Sequence, residues 1–282
     1  PRSVSIQGNY AYVANYGGNT LSIHDVRNPK SITIIGSIAA SQPYSVYVQG
    51  RYAYTANNGN NTVGIYDISN PTTPVQVGSI GSSDPRFIYV QGRYAYTANY
   101  STNTVKIIDV SNPYSPQLTA SISMGSAFPL SLSVQGRYAY IVNGNNTLAI
   151  YDISNAASPV SIGSVSTGAS STPTHIFVQG RYAYTANNGN GTLGIFDISN
   201  PSAPVRIGNV PSDASAGPNS VYVQGRYAYM VNQGSNTLNI FDLGGAYSQA
   251  LDAGGLEAGT IAEERGAAAV TEGEAHPFLC EH

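Results

Sequence analysis

Two histidines, a recurring aspartate and a recurring arginine are the side chains in residues 1–242 suited to acid–base, metal or charge chemistry. Such chemistry needs several of them to converge. His24 occupies a position held in other copies of an internal repeat by Tyr66, Ile108, Tyr151, Phe196 and Phe241. That register marks it as a ring packed in a core slot. His175 replaces Ser45, Ser131 or Ser220. Without a second His or a placed carboxylate it makes neither a triad nor a metal site. Asp25, Asp67, Asp109, Asp152, Asp197 and Asp242 recur once per copy. Residues so dispersed cannot bring two carboxylates to one substrate atom. Their place just before a Ser-Asn-Pro turn suggests that they cap it, side-chain oxygen to backbone N–H.

Arg51, Arg93, Arg137, Arg181 and Arg226 follow the dipeptide Gln-Gly, and Asn9 stands in that place first. Five separated charges make a weak field, so they read as solvated hairpin residues or as partners of an Asp. The Asn-rich turn "NNGNN" at 57–61 holds no carboxylate, which excludes a calcium loop. Asn60, Asn145 and Asn190 lie in N-x-T sequons. Cys280 is the one cysteine, so no intrachain disulfide forms. The sequence therefore predicts no enzyme, no metal and no cofactor.

What differs between the copies is more informative. After one recurring proline come Arg2, Tyr44, Arg86, Leu130, Thr174 and Asn219, and the loops before it vary in length. With His175 these are the candidate ligand-binding residues. Unconstrained drift of surface loops is the alternative account of the same variation.

The repeat itself fixes what must position them. Gln-Gly occurs at Gln7, Gln49, Gln91, Gln135, Gln179 and Gln224, at intervals of 42, 42, 44, 44 and 45 residues. A proline stands six residues before each, at Pro1, Pro43, Pro85, Pro129, Pro173 and Pro218. Each unit reads as four strands. In the second copy they are "SVYVQG", "RYAYTAN", "TVGIYDI" and "VQVGSI", separated by Gly, Asn and Pro turns. Four short antiparallel strands in this period predict a blade. The fold class is all-β: a six-bladed β-propeller of four-stranded antiparallel blades, with a C-terminal non-repeat tail. The candidate residues then gather at the mouth of the central channel, where propellers bind ligands.

The third strands "TLSIHD", "TVGIYD", "TVKIID", "TLAIYD", "TLGIFD" and "TLNIFD", with "ISNP" after them and "YAYTAN" before, resemble LVIVD repeats. Proteins with such repeats resemble the YVTN and WD-repeat propellers. The resemblance implies a bacterial or archaeal surface or secreted protein, and it is specific for fold rather than function.

Composition divides the chain. Residues 1–242 carry eleven Lys or Arg, eight Asp and no Glu, whereas 243–282 carry Arg265 against seven acids. The propeller is therefore assigned to 1–242 and an acidic Ala/Gly/Glu-rich tail to 243–282. In the sixth copy "GGAYSQAL" replaces "SNPxxP", leaving a weak fourth strand near 247–252. Either that segment or another chain fills the place. Gly244, Tyr247, Leu251, Leu256 and Ile261 are the candidate assembly residues.

The net charge of −3 offers no basic footprint for nucleic acid, and no apolar run is long enough to span a membrane. A start at Pro1 rather than Met is expected of a trimmed form. These readings predict an extracellular or cell-surface, non-enzymatic structural or adhesive module. Its expected partners are further copies of itself, joined through the tail into a fibre, and a surface glycan or protein. The alternative is a propeller that binds a ligand or carbohydrate, or acts as an enzyme, at the channel mouth.

Overall fold

The structure, a computed structural model, describes residues 1–212 and 216–244. Its strands follow the repeat. Blade one holds β1 (Ser3–Gln7), β2 (Tyr10–Asn15), β3 (Thr20–Asp25) and β4 (Thr33–Ala39). Blade two holds β5 (Pro43–Gln49), β6 (Tyr52–Asn57), β7 (Thr62–Asp67) and β8 (Val75–Gly81). Blade three holds β9 (Pro85–Gln91), β10 (Tyr94–Asn99), β11 (Thr104–Asp109) and β12 (Gln117–Ser123). Blade four holds β13 (Pro129–Gln135), β14 (Tyr138–Asn143), β15 (Thr147–Asp152) and β16 (Val160–Ser166). Blade five holds β17 (Pro173–Gln179), β18 (Tyr182–Asn187), β19 (Thr192–Asp197) and β20 (Val205–Pro211). Blade six shows β21 (Pro218–Gln224), β22 (Tyr227–Asn232) and β23 (Thr237–Asp242). Each is an antiparallel meander with strands in sequence order. The segment 247–252, expected as a fourth strand of blade six, lies outside the described residues. So do Tyr247, Leu251, Leu256 and Ile261.

Local chemistry explains the turns. Gly50 follows Gln49 with φ +62°, a conformation that Gly adopts without a Cβ penalty. It opens a two-residue hairpin between Gln49 and its partner Tyr52. On the same edge Asp67 accepts the backbone N–H of Ser69 at 2.9 Å and pairs with Arg51. Asp109 with Arg93, Asp152 with Arg137, Asp197 with Arg181 and Asp242 with Arg226 repeat the arrangement. In blade one, where Asn9 replaces the arginine, Arg27 supplies the guanidinium to Asp25 from the other side of the turn. The hydrogen bond from Arg51 holds the Asp67 carboxyl down to about 2, and Arg93 does the same for Asp109. The aspartates are turn caps, as their spacing implies.

Blades pack face to face through alternating side chains. The forward face of blade one (Tyr12, Ala14, Leu21, Ile23) meets the rear face of blade two (Val46, Val48, Ala53, Tyr66, Ile68), all buried. The same positions recur at the following junctions. A polar brace accompanies four of them. Gln7 donates its amide to the Gly50 carbonyl at 2.7 Å and accepts the Gly50 N–H at 3.0 Å. Gln49 to Gly92, Gln91 to Gly136 and Gln135 to Gly180 continue it.

Fourth-strand glycines set how near the next blade can come. A Cβ on Gly36, Gly78 or Gly163 would lie 2.1, 2.0 or 2.2 Å from the carbonyl oxygen of Pro71, Pro113 or Pro201 in the following blade. Blade three carries Ala120 at this position. The turn it faces carries Ala156 in place of proline, and both alanines join one core cluster. The larger residue is thus matched to a different turn.

The residue before each blade's proline is left-handed even where it is not glycine: Gln42, Asp84, Phe128 and Thr172 have φ of +45°, +50°, +49° and +40°. For a β-branched residue this is an outlier, costing roughly 1–3 kcal/mol. Glycine relieves the strain but adds about 0.4–1 kcal/mol of unfolded-state entropy. Thr172→Gly is therefore expected to raise stability by about 1 kcal/mol in urea denaturation.

Candidate functional site

The loops joining one blade to the next and the turns after each second strand share one edge of the molecule. There the structure brings Arg2, Tyr44 and Arg86 together. The Arg2 guanidinium lies between two rings, 5.0 Å from the centroid of Tyr16 and 4.5 Å from that of Tyr44. Arg2 also donates from Nη1 to the Tyr44 hydroxyl at 2.8 Å. Arg86 lies between Tyr44, at 5.7 Å, and Tyr100, at 3.7 Å. Tyr100 meets Phe128, with centroids 5.5 Å apart. The result is an arc, Tyr16–Arg2–Tyr44–Arg86–Tyr100–Phe128, running across the first four blades. Each cation–π contact lies within the range where ring and cation attract.

Asp84 anchors the middle of the arc. It accepts from Arg86 Nε at 3.4 Å, from the Asn58 amide and from the Ser101 hydroxyl. Asn61 in turn holds the Asp84 backbone N–H at 2.8 Å. The Arg86 charge is thus compensated. Arg2 is exposed, and among the described residues no carboxylate pairs with it. Its remaining donors suit a bidentate anion such as a carboxylate.

The other candidates have separate fates. Leu130 flanks the arc beside Gly144 and Phe128. Thr174 directs its hydroxyl to the Ala186 and Pro218 carbonyls, at 3.1 and 3.0 Å, and so ties blade five to blade six. Asn219 is exposed on the far side of that junction. His175 sits deeper. Its Nδ1 accepts the Val221 N–H at 3.4 Å, the role Ser131 plays for Ile176 in the preceding junction. Its ring meets the edge of Phe87, with centroids 5.5 Å apart. Phe87 and His175 belong to blades three and five, so their contact crosses the channel and floors the mouth. Burial there pushes the imidazole down to about 4. Gly244, the one described assembly candidate, donates its N–H to Asp242 at 2.9 Å and closes a turn.

Sequence reading missed Tyr16, Tyr100, Phe128, Asp84 and Phe87. A signal was present for three of them. Tyr16 and Tyr100 occupy the place held by Asn58, Gly144, Asn188 and Gln233 in other copies. Phe87 occupies a serine position.

Six blades around a channel, with a stacked mouth at one end, define a β-propeller of the kind that carries its ligand-facing groups on connecting loops. The chain belongs to the LVIVD repeat family, whose repeat matches residues 1–40, 43–81, 84–123, 129–167 and 173–211. No curated protein matches it. Among solved structures it is similar to the Pseudomonas aeruginosa periplasmic gluconolactonase, at 17% identity and TM-score 0.75, over 85% of this chain and 80% of that one. A Bacteroides uniformis protein provisionally assigned as a 6-phosphogluconolactonase gives 14% identity and TM-score 0.75, over 86% and 80% of the two chains. Hydrazine synthase of Kuenenia stuttgartiensis gives 19% and 0.72, over 86% and 76%. At these identities the likeness is one of fold. It nevertheless corrects the expectation that the chain is not an enzyme. Proteins named as lactonases share this scaffold, so the propeller fold is no argument against catalysis.

Proposed function

We propose that this chain is an extracellular or cell-surface recognition module with an adhesive role, and that its mouth binds an acidic carbohydrate. The stacked arc carries the reading. The half-buried tyrosines present ring edges and hydroxyl tips beside the exposed Phe128, and Arg2 offers donors for a carboxylate. A row of alternating rings and guanidiniums across four blades suits an extended chain of sugar units. The Asp84 anchor fixes Arg86 between its rings, which lowers the cost of ordering it on binding.

The test is calorimetric titration with an oligogalacturonate, against a neutral cello-oligosaccharide of equal length. Binding of the acidic ligand is expected, and Arg2→Ala should weaken it about 10- to 100-fold, the worth of a charge-assisted hydrogen bond. Tyr44→Ala should weaken it comparably, because both guanidiniums lose a ring. Equal affinity for the two ligands, or an Arg2→Ala variant that binds like the parent, would refute the reading. Because lactonases share the fold, hydrolysis of δ-gluconolactone is followed in the same samples. Turnover that depends on Arg86 and Asp84 would make the arc an active site.

A further inference from the structure

Four Asn-Gly dipeptides stand in the turns at the mouth edge: Asn58-Gly59, Asn143-Gly144, Asn188-Gly189 and Asn190-Gly191. Such a pair reacts within itself when the glycine nitrogen loses its proton and attacks the asparagine Cγ, because no side chain on the glycine crowds the approach. The fold withholds that nitrogen in three of the four. Gly59 donates its N–H to the Ser41 carbonyl at 3.1 Å, Gly144 to that of Phe128 at 3.0 Å and Gly189 to that of Ser171 at 2.9 Å. Each acceptor belongs to the loop that enters the same blade. The Gly191 N–H has no acceptor among the described residues, and Asn190 is exposed.

The surroundings of Asn190 also differ in charge. Its Oδ1 accepts the Thr192 hydroxyl at 2.8 Å, and its Nδ2 donates to the Ala169 carbonyl at 3.4 Å. Arg206 stands nearby, since a Cβ on Gly168 would meet Arg206 Nη1 at 2.6 Å and Asn190 Nδ2 at 3.7 Å. Among the described residues no carboxylate pairs with Arg206. The hydroxyl and the guanidinium both favour negative charge developing on the Asn190 carbonyl oxygen. Asn58, by contrast, donates to the Asp84 carboxylate, whose charge opposes it.

We propose that Asn190-Gly191 is a site of covalent self-modification, converting to aspartate and isoaspartate in the folded chain while the other three pairs stay intact. The Gly191 nitrogen bonds to Asn190 Cγ, the Cγ–Nδ2 bond breaks, and ammonia leaves carrying the proton the glycine gave up through solvent. The resulting succinimide ring is opened by water at either carbonyl. The carboxylate so formed faces Arg206 and no longer donates to Ala169. The loop it releases, 167–172, holds Gly168, Ser170 and Thr172 at φ of +112°, +52° and +40°, so the change falls on a strained segment.

Peptide mapping by mass spectrometry of the purified full chain, incubated at mildly alkaline pH in heavy-oxygen water, reads the four sites separately. Conversion at 190 is expected to run about 10-fold faster than at 58, 143 or 188, since those must first break a backbone hydrogen bond and open locally. Gly191→Asn writes the sequence of blade two, where Asn61 has φ +56° against +64° at Gly191. That variant should fold as the parent does and lose the conversion. Arg206→Gln should slow it severalfold. In guanidinium chloride the unfolded chain should convert all four pairs at similar rates. The proposal is overturned if 190 converts no faster than the other three in the folded chain, or if it keeps its lead after unfolding. It is also overturned if Gly191→Asn converts at 190 as the parent does.

Discussion

Gly78→Ala is expected to destabilise the propeller by about 3 kcal/mol or more, the upper range for overpacking. The added methyl would sit 2.0 Å from the Pro113 carbonyl oxygen, with Pro116 Cδ a further 1.5 Å out at 3.5 Å. Neither is the far end of a flexible side chain, so blade three must move as a body. Gly50→Ala is the control. Nothing lies within 4 Å of its Cβ, so it should cost only the left-handed backbone penalty, about 1 kcal/mol. Urea denaturation of both variants separates steric from conformational cost. The junction between blades three and four also predicts a rescue. There Ala120 coexists with a turn in which Ala156 replaces proline. Gly78→Ala combined with Pro113→Ala should recover part of the loss. No recovery would mean that the alanine pairing owes nothing to the turn.

The second large effect is a dependence of stability on pH between about 4 and 6.5. His175 is neutral in the folded protein down to about 4 because burial disfavours its charged form. In the unfolded chain it titrates near 6.5. Between these values the unfolded state binds the extra proton, so stability rises with pH. The contribution is complete above the unfolded value and is lost as pH falls through the folded one. The difference amounts to about 3 kcal/mol between pH 7 and pH 4. A charged imidazole also loses the lone pair that takes the Val221 N–H, which loosens blade six from blade five. His175→Ser restores the residue found at this position in four other blades, and it should flatten the profile in that window. A variant that keeps the parent's slope would remove His175 as the cause. The carboxylates act lower, since Asp67 and Asp109 are held down to about 2.

The architecture was legible because the first three strands of a blade are written six times and the fourth five times. Gln-Gly, the preceding proline and the Asp before the Ser-Asn-Pro turn each have a local physical cause, and each stands where it was expected. The site was legible only in part. Arg2, Tyr44 and Arg86 are visible as departures from a common pattern. That they stack on one another depends on distances between blades, which no single repeat encodes. Tyr16 and Tyr100 were hidden among the 22 tyrosines, most of which recur at fixed second-strand places for packing. Thr174 shows the converse: a varying position at the mouth whose hydroxyl serves a blade junction.

The brace between Gln and the following Gly has a consequence at the level of the gene. Each junction takes one half from each of two consecutive copies, and the halves are nearly interchangeable. Unequal recombination that gains or drops one copy therefore leaves every remaining junction correctly matched. The stretch "VQGRYAYTANNGN", identical at 48–60 and 178–190, supplies the homologous register at which such an exchange would occur. The cost of a new unit falls on one place. A crossover that separates Ala120 from Ala156 would set an alanine against a proline turn, so these two positions should travel together when the array changes length.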